Sequence, residues 1–126
     1  MSWQTYVDSS LIGTGKIARG AIMGVQGGIW AISHGYQLAQ DEQTAILGSF
    51  ANSEATQASG IRLAGQKFLT LQADDAHVYG KKGGNGCVIV KTNQAILITE
   101  YEAPVLPGEA TVVVEGLADY LRSVGY

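Results

Sequence analysis

Apolar residues recur at helical spacing in the first dozen positions, where Trp3, Tyr6, Val7 and Leu11 share one side of a predicted helix over residues 1–12. A helix of about three turns does not persist alone in water, so this one must pack on a sheet or another helix. Val7 and Leu11 suit that packing. Trp3 and Tyr6 sit at the loose end, near solvent, and are candidates for contact with something else. Gly13-Thr14-Gly15 ends the helix. Two short apolar runs, Ala21 to Val25 and Ile29 to Ile32, flank the turn Gln26-Gly27-Gly28 and predict a β-hairpin. Helical spacing returns between Asp41 and Phe50, with acidic residues in the first turn. The polar stretch from Asn52 to Ser59 reads as a surface loop.

From Gly60 the period changes to two. Ile61 and Leu63 alternate with Arg62 and Ala64, and Phe68, Thr70 and Gln72 alternate with Leu69, Leu71 and Ala73. Further strands are predicted around His77 to Lys81, from Cys87 to Lys91 and from Ala95 to Tyr101, joined by glycine-rich or polar turns. The last segment is contested: Thr111-Val112-Val113-Val114 has strand propensity, yet Ala110, Val113, Val114, Leu117 and Leu121 keep helical spacing. Pro107 suits a helix start, and the run from Gly108 to Ser123 is too long for an ordinary strand. A helix is predicted. Consecutive strands with short connections pair antiparallel, so the order helix, hairpin, helix, five-strand meander, helix predicts an α+β fold with helices covering an antiparallel sheet.

At 126 residues the chain is expected to form one domain spanning 1–126. Its 17 glycines against two prolines suit many tight turns between short strands. A net charge of −3 gives no general reason to bind nucleic acid, so an anionic partner would need a local patch. Lone Cys87 forms no internal disulfide, and with no apolar stretch of spanning length a cytoplasmic setting is expected.

Catalytic and metal constellations do not assemble from this sequence. One cysteine and two histidines, His34 and His77, lack the ligand number and spacing of a structural zinc site. Cys87 opens the apolar run Val88-Ile89-Val90 and reads as core rather than as a nucleophile paired with His77. Asp74-Asp75 falls in a turn, where acidic side chains bond locally to the backbone. Gly13-Thr14-Gly15-Lys16 lacks the first glycine and the final hydroxyl of a phosphate-binding loop. The chain is therefore expected to be a non-enzyme without cofactor or metal.

The aromatic positions carry more information. Trp3 and Tyr6 open the chain, Tyr120 and Tyr126 lie at its far end, and Trp30 is on the second hairpin strand. If the first and last helices pack antiparallel, these five rings converge on one shallow groove. Such a groove suits a proline-rich ligand. A polyproline II helix presents flat rings and free carbonyls, which indole and phenol faces and their N–H and O–H groups can meet.

The same residues resemble the profilin family, in particular profilins of the fungal type. Met-Ser-Trp-Gln-Thr-Tyr-Val-Asp at 1–8 is similar to the family's opening motif, and Leu117-Ala118-Asp119-Tyr120-Leu121 to its closing one. Gly65-Gln66-Lys67-Phe68, Val78-Tyr79-Gly80-Lys81 and Pro107-Gly108-Glu109-Ala110 extend the likeness along the chain. The resemblance implies a central antiparallel sheet of six or seven strands, with the terminal helices on one face and small helices on the other. It implies an actin-monomer-binding protein that regulates polymerisation and nucleotide exchange, and links actin to proline-rich partners such as formins. It also implies binding to phosphoinositide head groups.

Carried onto this chain, the proline-rich site is Trp3, Tyr6, Trp30, Tyr120, Leu121 and Tyr126. The actin face is Thr70, Gln72, Tyr79, Lys81, Gly108, Thr111 and Val112, and the phosphoinositide patch is Lys67, Lys81 and Lys82. Fungal members of that family usually carry arginine where Gln72 and Ala76 stand, and many profilins carry lysine at Val112, so the resemblance implies three cations that this chain lacks. Weakened actin and phosphoinositide binding, leaving a proline-rich peptide module, is the alternative expectation.

Overall fold

The computed structural model describes residues 2–126, so Met1 of the predicted first helix lies outside the described residues. The opening helical segment, α1 (residues 3–14), runs through a normal turn at Trp3–Thr5, a widened one at Tyr6–Leu11 and a tight one at Ile12–Thr14. Ser2 caps it by accepting from the Thr5 N–H, and Gly15 ends it in the left-handed region that glycine enters freely. The hairpin strands β1 (Arg19–Gly24) and β2 (Ile29–Ile32) follow, then α2 (Gln40–Ala51) and α3 (Ser53–Ser59). Strands β3 (Ile61–Leu63), β4 (Gln66–Ala73), β5 (His77–Lys82), β6 (Asn85–Lys91) and β7 (Ala95–Tyr101) form the meander, and α4 (Pro107–Ser123) closes the chain.

The seven strands form one antiparallel sheet in the order β2-β1-β7-β6-β5-β4-β3. Alternation divides its core in two. Val88, Val90 and Leu97 face Val7 and Leu11 of α1 and Val114, Leu117 and Leu121 of α4. Ile89, Ile96 and Ile98 face Ile46 and Phe50 of α2 on the opposite side. The expected sheet with terminal helices on one face and smaller helices on the other is the arrangement found.

One prediction fails. Residues 53–59 form a helix, not a surface loop. The segment has no apolar stripe because its helix is held by polar contacts: the Asn52 side chain accepts from the Ala55 N–H, the Thr70 hydroxyl donates to the Thr56 carbonyl, and the Gln57 amide donates to Ala73. The last-helix ambiguity resolves as period predicts, with Pro107 in the first turn and the Glu109 carboxylate accepting from the Leu106 N–H.

Buried polar groups do structural work. Glu42 accepts from the backbone N–H groups of Ala39, Ala64 and Gly65, tying the start of α2 to the β3–β4 turn. Glu100 joins Arg19 at 3.1 Å and accepts from the Tyr36 hydroxyl at 2.5 Å. Burial, then the Glu100 charge, pushes the Tyr36 phenol far above its ordinary pKa. Cys87 is sealed beneath Gly80 in the α2-side core, and burial lifts its thiol to about 12. His77 pairs in register with Val90, whose side chain lies in the α4-side core, so Cys87 and His77 are on opposite faces and form no catalytic pair. Lys16 is engaged by Glu109 at 2.6 Å, which joins the end of α1 to the start of α4.

Candidate functional site: an aromatic groove and a sheet face

The Lys16–Glu109 pair at one end and the Trp3–Tyr126 contact at the other make α1 and α4 antiparallel neighbours. Five rings meet as a consequence. Tyr120 lies 6.2 Å from Tyr6, Tyr6 5.6 Å from Trp3, and Trp3 in turn 4.7 Å from Trp30 and 5.0 Å, edge to face, from Tyr126. Tilted and edge-on contacts at these separations are the favoured aromatic geometries, so the rings support one another. The Tyr6 phenol is held above its ordinary pKa, first by the adjoining Tyr120 hydroxyl and then by burial, and stays a protonated donor at neutral pH.

Each ring has a local reason for its place. The Gln4 amide donates to the Ile32 carbonyl at 2.9 Å, fixing the first turn of α1 against β2. In the β1–β2 ladder Ile22 pairs with Ala31 and Met23 with Ile29, so Trp30 is the extra residue of a bulge. Bulges re-aim side chains, and this one puts a 39% exposed indole beside Trp3. Gly24 makes room for it: a Cβ there would come within 2.9 Å of the Trp30 ring. Tyr126 is tied down by its carbonyl, which accepts from the Gln94 N–H and the Thr92 hydroxyl of the β6–β7 turn. Leu121 is the exception among the six residues expected here. It is fully buried in the core beneath α1 and α4, so it supports the rings and presents no surface to a ligand.

The second candidate surface lies where β4 and β5 extend beyond the cover of α4. Gln72 pairs with Tyr79 and Leu69 with Lys81, so these four share a sheet face. Thr111, Val112 and Glu115 lie on the nearby flank of α4, and Glu115 approaches the His77 ring to 3.4 Å. Gly108 is exposed in that helix's first turn. Thr70 does not belong with them: it pairs with Gly80, points to the opposite face and donates to Thr56. Lys82 also departs from its expected patch, since alternation sends it away from Lys81 and its ammonium reaches Gln66 at 2.7 Å. Lys67 stays on the Lys81 face, and Arg62 stands directly across from it.

Leu69 and Leu71, 66% and 61% exposed and not among the residues expected at a site, give this face its apolar character together with Val112 at 73%. Leu69 and Leu71 alternate with Phe68 and Thr70, which turn to the other face, and a bulge follows: Thr70 pairs with Gly80 and Gln72 with Tyr79, leaving Leu71 unpaired and bringing Gln72 onto the leucines' face. The Asp74 carboxylate turns back on its own loop, accepting from the Ala76 and His77 N–H groups and meeting the His77 ring. Partial burial works against its charge, but these hydrogen bonds prevail and its pKa is lowered. Among the described residues no cluster of three or more His, Cys, Asp or Glu is arranged to hold a metal, and no helix is long and apolar enough to cross a membrane.

A sheet carrying two terminal helices with an aromatic furrow between them defines a class of small α+β proteins. The profilin family model matches residues 1–126, and the chain belongs to the profilin family. It is 49% identical to Profilin-A of Physarum polycephalum and 45% identical to the profilin of Schizosaccharomyces pombe, with all of each chain covered. The solved structure of Acanthamoeba castellanii profilin IB superposes with a TM-score of 0.96 at 47% identity, covering 99% of this chain and 100% of that one. Mouse profilin IIa, solved with a double repeat from the FH1 domain of mDia1, is 21% identical and shares the fold at a TM-score of 0.80 over both whole chains.

Proposed function

We propose that this profilin binds actin monomers through the β4–β5 face and the adjoining start of α4, and proline-rich partners through the aromatic groove, so that it regulates actin assembly as an adaptor. It works as a binding protein rather than an enzyme, in the cytoplasm, as one domain over 1–126. The observation that carries the reading is the convergence of Trp3, Tyr6, Trp30, Tyr120 and Tyr126, from α1, β2, α4 and the residues after α4, on one partly open surface. Partly open indole and phenol rings match the flat rings and free carbonyls of polyproline II. The ligand arrives largely ordered, which lowers the entropic cost of association.

Exposed Leu69, Leu71 and Val112 supply buried area for a protein partner, with Gln72, Tyr79, Lys81, Gly108 and Thr111 around them. A second reading draws on charge: Gln72, Ala76 and Val112 leave this face without three cations expected from relatives, which favours weakened actin binding beside an intact groove. Anionic lipid head groups would meet Lys67, Lys81 and Arg62, a thin patch worth about 1 kcal/mol per cation near a charged surface.

Titrating oligoproline while following tryptophan fluorescence tests the groove, because Trp3 and Trp30 both lie in it. A spectral change that saturates is expected, and none at millimolar peptide removes the site. Actin assembly kinetics in excess protein test the other face. Slowed assembly supports the adaptor, while unchanged assembly reduces the function to peptide binding.

A further inference from the structure

The two margins of the sheet are finished differently. At the β2 margin α1 lies along the edge, and its Gln4 amide donates to the Ile32 carbonyl. At the other margin α3 guards the far part of β4, where the Thr70 hydroxyl donates to Thr56 and the Gln57 amide to Ala73. Short β3 is left as the rim. An edge strand offers free N–H and C=O groups to any extended chain that arrives.

Register decides which groups of β3 are free. Ala64 and Gly65 both have positive φ, 52° and 81°, so a two-residue turn joins β3 to β4 and Leu63 and Gln66 form a hydrogen-bonded pair. Ile61 with Phe68 is then hydrogen-bonded as well, and Arg62 with Lys67, between them, is not. The Arg62 N–H and C=O consequently point off the sheet. Clefts open on either side of this residue, one of about 680 Å³ lined with Gln37, Leu38 and Ala39, the other of about 240 Å³ lined with Ala45, Ser59 and Gly60. Arg62, Asp41 and Glu42 line both, so the clefts form one furrow between the β3 edge and the start of α2. The Glu42 carboxylate is already engaged by three backbone N–H groups.

The other face of the rim is cationic. Arg62 stands directly opposite Lys67, and like charges at such a position destabilise a sheet. The Lys67 stem lies over Gly60, where a Cβ would come within 3.3 Å of its Cε. Among the described residues neither cation has a carboxylate partner.

We propose that the β3 edge binds an extended acidic peptide segment, which adds antiparallel to β3 as one more strand. One residue of the segment exchanges both backbone hydrogen bonds with Arg62, so its side chain projects on the Arg62 face, and a glutamate there answers Arg62 and Lys67 together. The side chains before and after it turn to the α2 side and enter the two clefts. A proline-rich segment cannot take this place, because proline has no N–H to give to the Arg62 carbonyl. This margin and the aromatic groove therefore select different ligands.

The test follows the backbone amides of residues 61–63 by NMR while blocked pentapeptides are titrated to millimolar concentration. The probes are Thr-Val-Glu-Val-Thr, the same peptide with lysine or with N-methylglutamate at its centre, oligoproline, and inorganic phosphate. The glutamate peptide is expected to shift the Arg62 amide saturably and to slow its hydrogen exchange. The lysine peptide should bind at least about fivefold more weakly, and the N-methylated one about tenfold more weakly for want of a backbone bond. Oligoproline should leave these amides unmoved. Arg62→Gln should remove most of the preference for glutamate over lysine. Arg62→Pro, which an edge strand accommodates because the lost N–H faces outward, should abolish the response to every peptide. No shift with millimolar glutamate peptide overturns the proposal. Equal binding of the N-methylated peptide, or an equal shift with phosphate, reduces the rim to an anion-attracting patch and overturns strand addition. Should Arg62→Pro fail to fold, the N-methylated peptide on the wild type still decides.

Discussion

The two candidate surfaces share one device and use it in opposite ways. Each sits on a β-bulge, at Trp30 in the groove and at Leu71 on the β4–β5 face, and each bulge turns an apolar side chain outward. In the groove the released ring is received at once. Trp3 packs on it, Gly24 lies beneath it, and hydrogen bonds from Thr92 and Gln94 hold Tyr126 on the far side of Trp3. On the β4–β5 face Leu69 and Leu71 meet solvent instead. A surface that is already braced suits a narrow, ordered ligand that needs exact ring positions, whereas loose exposed leucines suit a broad partner that supplies their packing itself.

Trp3→Ala should break this contrast most severely. Trp3 touches three of the other four rings, so its loss disconnects the groove and should weaken oligoproline binding by at least about thirtyfold, the scale of a hot-spot truncation. Isothermal titration calorimetry reads this directly. Leu69→Asp with Leu71→Asp should weaken actin-monomer binding by about tenfold or more through lost apolar burial, measured by assembly kinetics, and leave oligoproline titrations unchanged. Gly24→Val should displace Trp30 and lower oligoproline affinity about three- to tenfold, the worth of one aromatic contact. The smallest effect is expected from Gln72→Arg with Ala76→Arg, which should raise actin affinity about two- to fivefold, a gain that fades at high salt. If the wild type already binds at micromolar levels and the arginines add nothing, the weakened-actin reading is wrong.

Much of the fold was legible because its elements declare their periods. Val7 and Leu11 at helical spacing, the alternation from Gly60 and the i, i+3, i+4 pattern of the last helix all survive in the structure. Residues 53–59 were not legible, because a helix held by Asn52, Gln57 and Thr70 has no apolar stripe to betray it. The groove was foreseeable once the terminal helices were paired antiparallel, although the same periodicity that marks Leu121 as part of the last helix's apolar side also puts it under the rings. The β4–β5 face was harder. Simple alternation sets Leu69 and Leu71 opposite Phe68 and Thr70, but the bulge at Leu71 has no residue signature in this sequence, so alternation groups Gln72 with Phe68 and Thr70 although it lies on the leucines' face.

The middle of the sheet adds a final constraint. Strands β6 and β7 are dry on both sides, with Val88, Val90 and Leu97 pressed against the long helices and Ile89, Ile96 and Ile98 against α2 and its neighbours. A plate sealed on both sides bends little, because its close-packed side chains have nowhere to go. Whatever docks at one margin is consequently held at a set distance and angle from whatever docks at the other. If one partner grips the rings and another the β4–β5 face, the plate between them acts as a ruler that sets where the second is presented.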